Sequence, residues 1–202
     1  KVMNGVYTIS SAGDYKFTCS RETGNRIVVD GKKISAKDSI NIYLNKVNIN
    51  TSTGPALRIN VNVKATVTIY LTGTNNLIAK NTWYAGLQKA NTASLIITTK
   101  VLDTTAGILN AHGSSDGDGA GIGGSNITIN SCSVIASSKY GAGIGGNKQG
   151  AGSNITINSA SVTASSTDGA GIGGGLYGDG SDIIINNSSV TASSTDGAGI
   201  GG

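Results

Sequence analysis

Apolar and polar residues alternate in short runs along most of this chain. The run Asn126-Ile-Thr-Ile-Asn130 returns as Asn154-Ile-Thr-Ile-Asn158 and again as Asp182-Ile-Ile-Ile-Asn186. Alternation of period two marks a strand with one buried side. A second alternating run follows each, as in Ser161-Val-Thr-Ala-Ser165, and then a third, Ala-Gly-Ile-Gly-Gly, which begins at Ala120, Ala142, Ala170 and Ala198. Within one such unit Ile155, Ile157, Val162, Ala164, Ala170 and Ile172 share a side. Three strands per unit, all facing one interior, predict an all-β solenoid: a right-handed parallel β-helix with three short strands per coil.

The same period reaches back into less regular sequence. Ile42, Ile69, Ile97, Ile129, Ile157 and Ile185 are spaced by 27, 28, 32, 28 and 28 residues and predict one inward column. Tyr7–Ile9, Phe17–Cys19 and Ile27–Val29 are read as a first coil, for about seven in all. The chain is then one domain over 1–202: a first coil or cap over 1–39, divergent coils over 40–119 and regular coils over 120–202. Asn147–Gly152 and Gly175–Gly180 are insertions expected to grow out of one corner. Asn130, Asn158 and Asn186 fall in a column that suits an asparagine ladder, and asparagine also tolerates the left-handed backbone of a sharp corner. The third strand presents Gly121, Gly123, Gly143, Gly145, Gly171, Gly173, Gly199 and Gly201 outward. Such a face admits a flat polymer or a packed segment, or it relieves crowding in a tight coil. The last coil exposes strand edges and isoleucines, so further repeats, a partner chain (self-association included) or a following domain are expected to cover it.

The segment from Ala65 to Gly124, with a strand, then Gly73-Thr-Asn-Asn-Leu77, then tandem Ala-Gly-Ile-Gly-Gly coils, resembles a bacterial module found in Gram-positive surface proteins. Such modules are described as carbohydrate-binding parallel β-helices, and the likeness covers roughly residues 26–202. It implies a secreted or cell-surface protein that binds polysaccharide, and it brings no catalytic signature with it.

Composition narrows the alternatives. The chain starts at Lys1, reads as a trimmed fragment, and has no run of about 18 apolar residues that would insert in a membrane. Residues 1–100 hold 13 basic and 4 acidic residues, and residues 101–202 hold 2 and 7, for balances of +9 and −5. The basic half is either a solvated surface or attracted to an anionic polymer such as an acidic polysaccharide or wall polymer. Nucleic acid is not expected, because few aromatics interleave with the lysines and no binding motif is visible. Cys19 and Cys132 fall four coils apart, about 19 Å by strand spacing, so two free thiols are expected.

Candidate chemistry is sparse. Inverting glycoside hydrolysis needs two carboxyls about 6.5–9.5 Å apart. The outward first-strand positions read Asn41, Tyr43, Thr68, Tyr70, Ile96, Thr98, Thr128, Thr156 and Ile184, and the second-strand positions Asn48, Ile78, Asn110, Ile135, Thr163 and Thr191. No acid is among them, and Asp182 sits only at a strand start. The serine and threonine array on the second strands also suits ice binding, but the earlier coils break it. The sole histidine, His112, is expected at a surface corner, with no Ser, Asp or Cys at triad spacing. The best candidate is a corner column two residues before each third-strand alanine: Trp83, Asp118, Tyr140, Asp168 and Asp196. Trp83 and Tyr140 fall two coils apart, about 10 Å, a disaccharide length, and aromatic faces suit sugar C–H surfaces. Tyr177, in the second insertion, joins these ligand candidates. Asp168 and Asp196 should approach within about 5 Å, which suits Ca²⁺. Turn chemistry alone is the competing reading of the Asp-Gly corners, with Trp83 packed over its corner. These features favour a non-catalytic extracellular binding or adhesion module for polysaccharide. The alternatives are a lyase or hydrolase acting on acidic polysaccharide, and a structural stalk.

Overall fold

The computed structural model describes residues 2–19, 21–31, 34–81, 83–90, 92–100 and 107–202. Their strands form three sheets, which are the faces of a solenoid. The first face has seven strands: Gly13–Thr18, Ser39–Asn45, Thr66–Thr72, Leu95–Thr99, Ile127–Asn130, Gly152–Asn158 and Gly180–Asn186. The second has six: Asn48–Thr51, Thr74–Ala79, Ile108–His112, Ser133–Ser137, Ser161–Ser166 and Ser189–Ser194. The third has nine: Val2–Met3, Val6–Ile9, Arg26–Val29, Leu57–Ile59, Leu87–Lys89, Ile122–Gly123, Ile144–Gly145, Ile172–Gly173 and Ile200–Gly201. All pairings are parallel except that of Val2–Met3 with Val6–Ile9. That hairpin turns through Asn4 and Gly5, both at positive φ (50° and 72°), as a tight two-residue turn requires.

Each coil visits the first, second and third face in order. Six complete coils follow an incomplete first one, where Thr23 alone bridges to Ile49 in place of a second-face strand. The first coil differs from the one expected from the sequence. Tyr7–Ile9 and Ile27–Val29 are not two sides of one coil but neighbours in the third face, with Tyr7 beside Ile27 and Ile9 beside Val29. Alternation marks a strand without saying which face it joins.

The interior follows the period. Ile42, Ile69, Ile97, Ile129, Ile157 and Ile185 pair in succession, coil on coil. The first five are fully buried, and Ile185 in the last coil is 38% exposed. Burying each such side chain contributes about 1.5–3 kcal/mol, and every coil relies on its neighbours for that burial.

Polar ladders stitch the outside. Asn186 Nδ2 donates to Asn158 Oδ1 and Asn158 Nδ2 to Asn130 Oδ1, both at 2.9 Å. The left-handed residue at this corner is the following one, Ser131, Ser159 or Asn187, rather than the ladder asparagine. Left-handed asparagines occur instead at Asn126, just before its first-face strand, and at Asn154, inside the next one. A second ladder was not expected: Asn110 Nδ2 donates to Asn76 Oδ1 at 2.8 Å, and Asn76 Nδ2 to Asn48 Oδ1 at 3.3 Å. The outward second-face column therefore runs through Asn76, not Ile78, which lies beside Asn50 and His112.

This register explains the Gly73-Thr-Asn-Asn-Leu77 motif. Gly73 turns the corner at φ 59°. Asn75 then points inward and is fully buried. Its Oδ1 accepts the Val47 N–H at 2.9 Å, and its Nδ2 lies within 3.3 Å of the carbonyls of Thr72, Gly73 and Ile108. One amide thus joins three successive coils, with both of its own polar atoms paired.

The glycine face is not an open platform. The glycines at 121, 123, 143, 145, 171 and 173 are all buried. A Cβ on Gly121 would meet Ala111 O and Ser137 N at 2.7 Å, and one on Gly143 would meet Ser165 N at 2.7 Å. These positions face the backbone of the second-face strands, so relief of crowding is the reading that holds for them. On Gly123 a Cβ would meet Asn147 Oδ1 at 2.9 Å. The insertions do share a corner, but they lie folded over the third face instead of growing outward. Lys148 N–H donates to Asp118 O and Leu176 N–H to Tyr140 O, each at 2.8 Å, and Gln149 N–H donates to Leu176 O at 2.7 Å.

Candidate functional site

The corner between the second and third faces is built by a repeated serine. Ser166 Oγ lies 2.7 Å from the Gly141 carbonyl of the preceding coil and accepts the Gly169 N–H at 3.0 Å. Ser194 repeats both contacts, with Gly169 O at 2.7 Å and Gly197 N at 2.9 Å. Ser138 reaches Gly119 O at 2.7 Å. A hydroxyl that both donates and accepts holds the following turn rigid, and Asp168 and Asp196 sit on the two turns so held.

Trp83 is 68% exposed, and its backbone N–H donates to Asn81 Oδ1 at 3.2 Å. It does not pack over the corner. One coil on, Asp118 is half-buried and pairs with Lys148 Nζ at 3.4 Å. In the next coil the ring of Tyr140 receives two ammonium groups, Lys139 Nζ at 4.8 Å and Lys148 Nζ at 4.9 Å from its centroid. Lys139 also approaches Asp116 at 3.9 Å. Its pKa is raised, first by its hydrogen bond and charge interaction with Tyr140, then by Asp116 and Asp168.

Asp118 and Tyr140 are thus brought together, with Lys148 supplied by the first insertion loop. The lysines were missed in the sequence reading, although a signal was present. They are the only two basic residues after Lys100, and both lie within nine positions of Tyr140. Tyr140 is not a bare sugar platform, because its π-face already engages cations.

Asp168 and Tyr177 line one depression of about 380 Å³ with Leu176 and Asp179. Tyr177 is 81% exposed and holds a left-handed backbone at φ 62°, as its counterpart Gln149 does at φ 60°. Asp196 is exposed, and its N–H donates to Thr167 O at 2.8 Å. No group of three or more His, Cys, Asp or Glu side chains that could hold a metal occurs among the described residues. Ca²⁺ takes six to eight oxygens, so Asp168 and Asp196 would need backbone carbonyls and water to complete a shell.

His112 is not on a corner. It ends a second-face strand directly beside Ser137, and its Nδ1 lies 2.6 Å from Ser137 Oγ. Stacking, not sequence spacing, supplies this serine neighbour. Burial holds the His112 pKa below its ordinary 6.5. Among the described residues no carboxylate hydrogen-bonds its other ring nitrogen, so the pair lacks the orienting group of a hydrolytic triad. On the strands, Asp14 and Asp182 are the acids that the faces carry, and they stand in the first and last coils. Six strand spacings, about 29 Å, separate them, far beyond the span of a glycosidase pair. Cys19 and Cys132 are both free. Burial pushes the Cys132 thiol up to about 12.

A parallel β-solenoid with exposed aromatics and paired charges along one corner is the class of protein these observations define. The chain belongs to the family described as "Carbohydrate-binding domain-containing protein", whose model matches residues 3–147. The beta helix repeat model matches residues 155–176 and 183–202. No curated protein and no solved structure matches the chain significantly.

Proposed function

We propose that this protein is a non-catalytic, extracellular polysaccharide-binding module whose ligand runs along the corner between the second and third faces. Trp83 carries the reading. A tryptophan that leaves 68% of its surface in water contributes little to the core and is free to meet a ligand. In a carbohydrate-binding family such a ring suits the C–H face of a sugar. Asp118 and the Lys139, Tyr140 and Lys148 cluster then offer charged hydrogen-bond partners for sugar hydroxyls. Asp168, Asp196 and Tyr177 extend the same edge into the later coils. Adhesion at a bacterial cell surface is the setting this reading fits, with Ca²⁺ at Asp168 and Asp196 as an optional addition.

A glycan array followed by pull-down on insoluble polysaccharide tests the reading. Trp83→Ala is expected to weaken binding about tenfold or more, the loss of one stacked ring. Tyr140→Ala is expected to weaken it too, because it releases both lysines. Binding left intact by both substitutions removes the corner as the site. Release of reducing ends or unsaturated products from an acidic polysaccharide would replace this reading with the enzymatic one.

A further inference from the structure

The first face carries a second feature, four strands long and away from the corner. Tyr43 and Tyr70 pair in register on its outer side, and their rings stack at 4.8 Å between centroids and 12° between planes. Lys16 precedes them in the same column, beside Tyr43. Lys100 lies at the far end, following Thr99, which pairs with Leu71. A groove of about 360 Å³ is lined by Lys16, Tyr43, Asn45, Thr72 and Lys100. Lys46 follows Asn45 of the groove in sequence and lays its stem across Gly73, where a Cβ would meet Lys46 Cγ at 3.1 Å.

The three lysines are exposed, and none has an ion pair among the described residues, whereas Lys139 and Lys148 are each paired with an aspartate. The nearest acid on this face is Asp14, and its Oδ1 is engaged by Asn41 Nδ2 at 2.8 Å. Lys16 and Lys100 are three strand spacings apart, about 14 Å, with Lys46 between them along the axis. One small anion cannot meet all three, but a chain with regularly repeated charge can.

The chemistry of the groove separates anion types. The facing sides of Tyr43 and Tyr70 are spent on each other, so no free stacking surface lies between them. The groove has no guanidinium fork, so no anion is gripped there in two places. Instead it presents single-point ammonium charges beside an amide and hydroxyls, which suit the tetrahedral oxygens of a phosphate approached from several directions. We propose that this stripe binds a linear polymer of polyol units joined by phosphodiesters. The site is separate from the corner proposed for polysaccharide, and it does not depend on that reading.

Poly(glycerol phosphate) is the probe, measured by calorimetry against polygalacturonate and a neutral glucan. The intact protein is expected to bind the phosphate polymer in preference to both, with affinity falling steeply as salt rises. A Lys16→Ala, Lys46→Ala and Lys100→Ala triple variant should lose about tenfold or more and show a flatter salt dependence. Its melting temperature should match that of the wild type, because all three side chains are exposed. Trp83→Ala should leave phosphate-polymer binding unchanged, which keeps the two sites distinguishable. Retained affinity in the folded triple variant would overturn the proposal. So would equal or tighter binding of polygalacturonate at this stripe, or binding that salt does not weaken.

Discussion

A single side chain on this solenoid is governed by what lies one coil above and below it. His112 shows this in its titration. Its Nδ1 meets Ser137, which is 25 residues away in sequence and adjacent in space. Burial lowers its pKa from 6.5, so the charged form is disfavoured in the folded state. Its contribution to stability is therefore complete above the unfolded value and is lost as pH falls through the lower, folded one. Since the chain has one histidine, an NMR titration of the imidazole is unambiguous. We expect a midpoint below 6.5 in the native protein; a midpoint at or above it contradicts the buried setting. Asn75 follows the same logic. In isolation an asparagine in a strand pattern looks unfavourable, and only its three-coil bonding justifies it.

Among elements, the two-residue third-face strands are the least tolerant. Gly145 sits at φ 133°, and a Cβ there would run into the carbonyl oxygen of Gly173 in the next coil. Backbone strain and overpacking together should make Gly145→Ala cost about 2–5 kcal/mol in urea unfolding. Gly24 is the control, with its nearest neighbour at 3.9 Å and no unusual φ. Gly24→Ala should change stability by less than about 0.5 kcal/mol. Equal effects at the two sites would mean that the insertion loops and glycine strands are not packed as described. The glycines also explain a change along the third face. Arg58 and Gln88 project from its earlier strands, and Gly123 follows in the same column, where the insertion loop comes to lie on the sheet.

For the molecule as a whole, stability passes from coil to coil. Each coil is buried by two neighbours except at the ends. In the last coil the inward Ile185 and Ile200 are 38% and 47% exposed, whereas their counterparts Ile157 and Ile172 are fully buried. Hydrogen exchange should therefore be fastest in residues 180–202 and slowest in the central coils, with opening energies graded along the axis. Uniform protection across all coils would show that the array unfolds as one unit. The charge asymmetry belongs to this scale too. The basic half places Lys16, Lys46 and Lys100 on the early coils, whereas the Asp-Gly corners fall on the later ones.

Alternation and the 28-residue step were enough to place the isoleucine file, the coil order from residue 39 onward and the Asn130 ladder, because a strand face and a repeated register are local properties of the chain. The corner column was also countable, since every coil returns the same turn to the same edge. What depended on the fold in three dimensions was the company each residue keeps. Lys148 reaches Asp118 and Tyr140 because an insertion loop folds back. Ser137 meets His112 because strands stack. The outward glycines are buried for a reason that no spacing reveals. Contacts across coils join residues far apart in sequence, and the loops that decide them have no period to read.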